Sequence, residues 1–235
     1  MPTGMKRLIK DRSLGFLVFG LALIMIAGCK KEEDTIPNKT VSDVEGNIYP
    51  IVDIGTQTWM GENLKTTKFN DGADIALVIN DAEWSNLDTP GYCWYENDKT
   101  NYGDTYGALY NWYAVNTGKL CPAGWHVPTD AEWTILTDYL GGENMAGDKI
   151  KETGMAHWIR LNLTATNETG FTALPNGFRF PFEYTFSDIG FTANWWSSDF
   201  LAQDDKFAWY RELGNEFRRD GFLKEFGLGV RCLRD

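Results

Sequence analysis

Side chains able to do chemistry are few and scattered in this 235-residue chain. Ser197 and Ser198 stand beside Asp199, and a serine nucleophile would need one of them close to a histidine base. No G-x-S-x-G elbow surrounds them, and neither His126 nor His157 has a sequence context that marks a base. Glu96, Asp98, Asn101 and Asp104 lie close together and offer the oxygen ligands that calcium takes, so calcium is the one cofactor suggested. They lack the EF-hand pattern and its glycine, and a solvated turn has the same composition. Cys93, Cys121 and Cys232 share no short ligand spacing and the histidines are 31 residues apart, so no zinc site is expected. Ten tryptophans are the richest resource. An aromatic face stacks on a sugar, but a loop-rich fold also uses indoles as core anchors with one polar handle. Trp112 and Trp133 fall on apolar helix faces and are expected inside. Trp195 and Trp196 are adjacent, so on a strand they point to opposite faces and one is expected outward. That one, with Trp209 and Tyr210, is the expected aromatic strip of a binding site, with Asp199 and Arg211 as its polar contacts.

The N-terminal residues bear on where such a site would work. Lys6, Arg7, Lys10 and Arg12 precede a 14-residue apolar stretch over 14–27 that ends in Ile26-Ala27-Gly28-Cys29 and switches to Lys30-Lys31-Glu32-Glu33-Asp34. A spanning helix needs about 20 apolar residues, so the stretch reads as a secretion signal. Its small residues before Cys29 resemble the lipobox of bacterial lipoproteins, which implies cleavage before Cys29 and palmitate on that cysteine. The charged cluster after it is similar to the surface-export signal of Bacteroidetes lipoproteins. That likeness implies an outer-membrane protein, lipid-anchored and facing the cell exterior. The chain divides into a signal peptide (1–28), a flexible tether (29–43) and one domain (44–235). Net charge is −11, and cleavage removes more basic than acidic residues. The acidity is dispersed, so it serves solubility, and nucleic acid is excluded as a partner. Export permits disulfides, and with Cys29 given to lipid an odd number of cysteines leaves one thiol over.

The elements that must position these residues follow from pattern and punctuation. Residues 47–54 and 58–64 read as the arms of a hairpin across the turn at 55–57, and 91–95 as a further strand. Helical turns are expected over 81–87, capped by Asp81. The best helix spans 129–140: Thr129 and Glu132 form a capping box, Trp133, Leu136 and Leu140 share a face, and Gly141-Gly142 stops it. Further helices are expected over 106–115 and 144–152. The rest is turn-rich β structure, with strands at 177–180, 194–198, 207–213, 216–219 and 226–233. The class is α+β, with short helices early and an antiparallel β meander late.

Seven strings occur in order: Ile54-Gly55-Thr56-Gln57-Thr58-Trp59-Met60, Tyr92-Cys93-Trp94-Tyr95, the run over 106–113, the run over 121–133, Thr169-Gly170-Phe171-Thr172-Ala173-Leu174-Pro175, Trp195-Trp196-Ser197-Ser198 and Gly229-Val230-Arg231-Cys232. Together they resemble the Fibrobacter succinogenes major paralogous domain, a family often attached to lipoprotein signals. The resemblance implies no activity, because the family has none established. More distantly, Trp125-His126-Val127-Pro128-Thr129-Asp130-Ala131-Glu132-Trp133 and the terminal Gly229-Val230-Arg231 are similar to stretches of formylglycine-generating enzymes. That likeness implies a loop-rich, C-type-lectin-like fold of the sulfatase-modifying-factor kind. In such folds the last strand is tied to the region of the first long helix, which implies a Cys121–Cys232 disulfide and a free, buried Cys93. Those enzymes use a close pair of C-terminal cysteines with copper and oxygen. Cys232 stands alone there, so their catalytic machinery does not carry over. The resulting expectation is a non-enzymatic adhesion or glycan-binding module whose partner is a polysaccharide or a surface protein. The alternatives are a divergent enzyme related to sulfatase-modifying factors and a purely structural envelope lipoprotein.

Overall fold

Strand β1 (Thr40–Ser42), strand β2 (Ile48–Ile54) and strand β3 (Gln57–Met60) open the domain as an antiparallel meander. They begin a computed structural model that describes residues 39–159, 162–182 and 186–235; the expected signal peptide, Cys29 and the Lys30–Asp34 cluster lie outside the described residues. After the meander come β4 (Ala76–Leu77), helix α1 (Asp81–Ser85), β5 (Gly91–Cys93), helix α2 (Asp104–Tyr106), β6 (Leu109–Tyr110) and helix α3 (Trp112–Val115). β7 (Trp125–His126) leads into helices α4 (Asp130–Tyr139) and α5 (Glu143–Ile150). The second half holds β8 (Asn176–Arg179), β9 (Phe186–Ile189), β10 (Ala193–Phe200), β11 (Phe207–Leu213), β12 (Phe217–Leu223) and β13 (Leu233–Arg234). The class is α+β, and every strand pair but the parallel β4–β5 is antiparallel.

The final strand closes the domain. β13 enters between β3 and β7, where Leu233 faces both Trp59 and His126, and completes a sheet ordered β1-β2-β3-β13-β7. Cys232, one residue earlier, is bonded to Cys121 across 111 residues, and Cys93 is free and buried. β10, β11 and β12 form a separate meander, and two smaller sheets are β4-β5-β6 and β8-β9.

Two expected elements are replaced. The helix over 106–115 does not form as one unit. Gly107 sits at φ +83° with Asn63 Cβ only 2.7 Å from where a side chain would begin, and Asn111 then caps α3 through its side chain. The strand over 226–233 is a ladder only at its end. Before that the chain makes single bridges to Arg179, Tyr110 and Trp195 in turn, running so close that a Cβ on Gly229 would meet Asn176 Nδ2 at 2.4 Å. The short helix near residue 81 is capped by Asn80, whose side chain accepts from Glu83 N, rather than by Asp81. α4 has its expected capping box: Thr129 Oγ1 accepts from Glu132 N, and Glu132 Oε2 accepts from Thr129 N.

β10 lies between the two largest core clusters. One holds Trp195 with Trp59, Trp133, Phe171 and Phe217; the other holds Trp196 with Tyr110, Trp112 and Tyr210. Nine of the ten tryptophans are buried. Five of their indole N–H groups end on backbone carbonyls: Trp84 on Glu225 O, Trp112 on Ser197 O, Trp133 on Trp196 O, Trp158 on Ala173 O and Trp196 on Tyr110 O. A buried indole needs such a partner, and these bonds tie loops to strands wherever an anchor sits.

Candidate functional site

The expected aromatic strip is not a surface. Trp195 and Trp196 are both 0 % exposed, because β10 is covered on both faces over residues 193–197. Tyr210 is buried and stacks on Phe222 at 4.0 Å. Arg211 is buried, and its Nη2 donates to Asp130 O, Asp130 Oδ1 and Thr134 Oγ1 on the first turn of α4. Asp199 Oδ2 accepts from Asp130 N at 2.8 Å. The two polar residues expected to orient a ligand therefore seat the helix on the β10–β11 pair. Trp209 alone of the strip is half-buried, and the Arg219 guanidinium lies over its ring at 3.7 Å.

Ser198 and His126 line one small cavity of about 140 Å³, an arrangement the sequence did not signal. His126 does not serve the hydroxyl: its Nε2 is 3.1 Å from both oxygens of Glu132, and its Nδ1 is 2.7 Å from Asp235 Oδ1. Burial pulls the imidazole pKa down, but the hydrogen bonds to Asp235 and Glu132 outweigh it and hold the value above 6.5. Both ring nitrogens are thus engaged with carboxylates, and the ring acts as a clasp between Glu132 and Asp235. The acidic loop is likewise engaged with itself. Asp98 accepts from Asn101 N and Nδ2, and Glu96 Oε2 accepts from Tyr102 OH. Asp98 thereby caps the turn that follows it, and among the described residues no group of three or more His, Cys, Asp or Glu is arranged to hold a metal ion.

A concavity lies at one end of the β10–β11–β12 sheet, between the β9–β10 turn and the β11–β12 hairpin. It is an open groove of about 560 Å³ lined by Asp188, Phe191, Glu212, Asn215, Glu216 and Arg218 among others. Each residue is placed by a local device. Asp188 stands at φ +62° with Ser187 Oγ donating to its carboxylate, and its carbonyl accepts from Phe191 N and Thr192 N, which fixes the turn. Phe191 is 37 % exposed at the tip of that turn. Glu212 Oε1 meets Arg218 Nη2 at 2.8 Å, a bond that raises the guanidinium pKa, while Tyr210 OH donates to Glu212 Oε2. Gly214 N donates to Glu216 O, and Lys151 Nζ donates to Gly214 O, so the hairpin tip is tied to the body.

Chemically the groove offers three carboxylates, an amide, a guanidinium and an aromatic ring. Carboxylates accept pairs of hydroxyl protons, the guanidinium donates, and the ring takes an apolar C–H face; together these suit a hydroxyl-rich neutral ligand. Sequence reasoning missed the groove because its residues come from two turns whose strands had been read for their faces. One signal was present: the aromatic Phe191 directly after Gly190 at a turn.

A family profile described as the Fibrobacter succinogenes major domain matches residues 52–234. No curated protein and no solved structure matches the chain.

Proposed function

The chain belongs to the Fibrobacter succinogenes major domain family, and we propose that this member is a surface-facing outer-membrane lipoprotein whose domain binds glycans and catalyses no reaction. The observation that carries this reading is the groove that Phe191, 37 % exposed, lines together with Asp188, Glu212, Asn215, Glu216 and Arg218. The C-type-lectin-like architecture is part of the same proposal. It is supported by the returning last strand, by the Cys121–Cys232 bond next to it and by the small share of regular structure between residues 61 and 129. An oxidase-like role has little to work with, since the Cys232 sulfur is bonded to Cys121 and Cys93 is buried with its thiol pushed up to about 12.

One aromatic ring and a few hydroxyl contacts give a weak site. Many copies anchored through Cys29 and meeting a polymer raise the effective concentration, and avidity supplies the hold. The test uses the full chain in detergent on immobilised neutral polysaccharides. Retention is expected for the native protein and loss of it for Phe191→Ala and Glu212→Gln, with folding unchanged. Equal retention by both variants refutes the groove, and no retention of the native protein by any neutral polysaccharide refutes the glycan reading in favour of a protein partner. In cells, Cys29→Ala is expected to lose palmitate labelling, and protease added outside is expected to remove the native domain.

A further inference from the structure

Among the described residues three arginines are buried, and they are not alike. Arg179 meets Asp81 at 2.8 Å and Arg211 meets Asp130 at 2.8 Å. Arg231, 1 % exposed, has no carboxylate within ion-pair distance among the described residues. Carbonyl oxygens hold it instead: Nε and Nη2 donate to Asn63 Oδ1, and Nη1 donates to Met60 O and Phe171 O. The guanidinium also lies over the Phe171 ring at 4.2 Å. These contacts fix its position, but they leave a full positive charge in the interior without an anion, which proteins ordinarily avoid.

The charge lies at a cavity. About 110 Å³ of space is lined by Glu62, Asn63, Glu152, Thr172, Leu174 and Arg231. That volume holds roughly four waters, or a molecule of about five heavy atoms. The carboxylates at this cavity have partners on the outside, Glu62 with Lys65 at 2.8 Å and Glu152 with His157 at 2.9 Å, so both are held in place. Thr172, a β-branched residue, is kept at φ +52° by Asn167, which accepts from its N–H and donates to its Oγ1. A β-branched side chain in that region is strained, and strain of this kind collects at ligand clamps. Four of the strings that mark the family's pattern lie at or near this cavity: Thr172 and Leu174 from one, Arg231 from another, Trp195 donating to Asn63 Oδ1, and Tyr106 accepting from Asn63 Nδ2.

We infer that this cavity is a second binding site, separate from the groove, for a small zwitterionic amino acid of about the size of glycine or alanine, its carboxylate toward Arg231 and its ammonium toward Glu62 and Glu152. Charge decides the class. A simple anion meets two carboxylates on entry, a simple cation meets the guanidinium, and a molecule carrying both charges a bond or two apart sets each beside its opposite. Leu174 leaves one apolar wall for a hydrogen or a methyl group.

Titration calorimetry on the full chain tests this with three probes: glycine, acetate and methylammonium. Glycine is expected to bind saturably and stoichiometrically, and each half-ligand to bind weaker by about tenfold or more, the loss that follows from one missing charged partner. Glu152→Gln is expected to weaken glycine by about tenfold, while Phe191→Ala leaves it unchanged. Arg231→Lys risks the fold, so the glutamate variant carries the test. Absence of saturable glycine binding, acetate binding as tightly as glycine, or an unaltered Glu152→Gln variant each overturns the inference. None of these outcomes bears on polysaccharide retention at the groove.

Discussion

At the scale of single residues, burial separates anchors from contact residues. Trp195 packs against Trp133 and Phe171, each at 5.8 Å, and its indole donates to Asn63. Trp196 fills the opposite cluster and donates to Tyr110 O. Removing either leaves a large cavity, so Trp195→Ala and Trp196→Ala should each lower stability by about 3–5 kcal/mol. Trp209, half-buried under Arg219, should lose only about 1 kcal/mol on the same change. Urea titrations compare the three; equal losses at all of them would place Trp209 in the core as well. The adjacency of Trp195 and Trp196 was legible in the sequence, and so was their placement on opposite faces of a strand. That both faces are covered was not, because it depends on α4 and β6 arriving from distant parts of the chain.

At the scale of elements, the first turn of α4 is where several segments meet. Thr129 and Glu132 close its capping box, Asp199 accepts from its first amide, Arg211 grips Asp130, and His126 joins Glu132 to Asp235 beside β13. The His126 and Glu132 charges set a pH window. The pKa of His126 is held above 6.5 in the folded protein, so its contribution is full below 6.5 and fades as pH rises through the folded value. For Glu132 burial raises the pKa, but the Thr129 and His126 hydrogen bonds outweigh that and hold it below 4.5. Its contribution is full above 4.5 and fades as pH falls through the folded value. The clasp is therefore strongest between those two ordinary values. His126→Asn should lower the melting temperature at about pH 5.5 and do so less at about pH 8. A difference that stays constant across that range would show that the clasp carries no charge. The capping box itself was readable from Thr129 and Glu132, because capping is a local event among four neighbouring residues.

At the scale of the molecule, closure depends on the last residues. β13 lies between β3 and β7, and the Cys121–Cys232 bond holds the strand's approach. Joining positions 111 apart removes much freedom from the unfolded chain, so reduction, or Cys121→Ser, should lower stability by roughly 4 kcal/mol. The urea midpoint under oxidising and reducing conditions measures it, and identical midpoints would mean that strand insertion alone closes the domain. In the same samples Cys93 should resist alkylation until the protein unfolds, since it is 0 % exposed and burial pushes its thiol up to about 12.

What the sequence determined by itself was local or carried by ordered strings. Helix α4 with its cap, α5, the first hairpin, the β11 strand, the α+β class and the family all rest on residues that act on near neighbours or occur in a fixed order. The Cys121–Cys232 pairing was legible only through the fold that the strings implied. Tertiary structure decided the rest, and the reason is packing. A helix expected over 106–115 breaks because Gly107 passes against Asn63, and a strand expected over 226–233 becomes a thread because Gly229 passes against Asn176 and Asn194. The aromatic strip closes because β10 is covered twice. Phe191 lines a groove built from two turns, and Arg231 lines a cavity to which four separate segments of the chain contribute. Contacts between residues a hundred positions apart leave no period or spacing in the chain, so the surfaces available to a ligand were settled only when the core was.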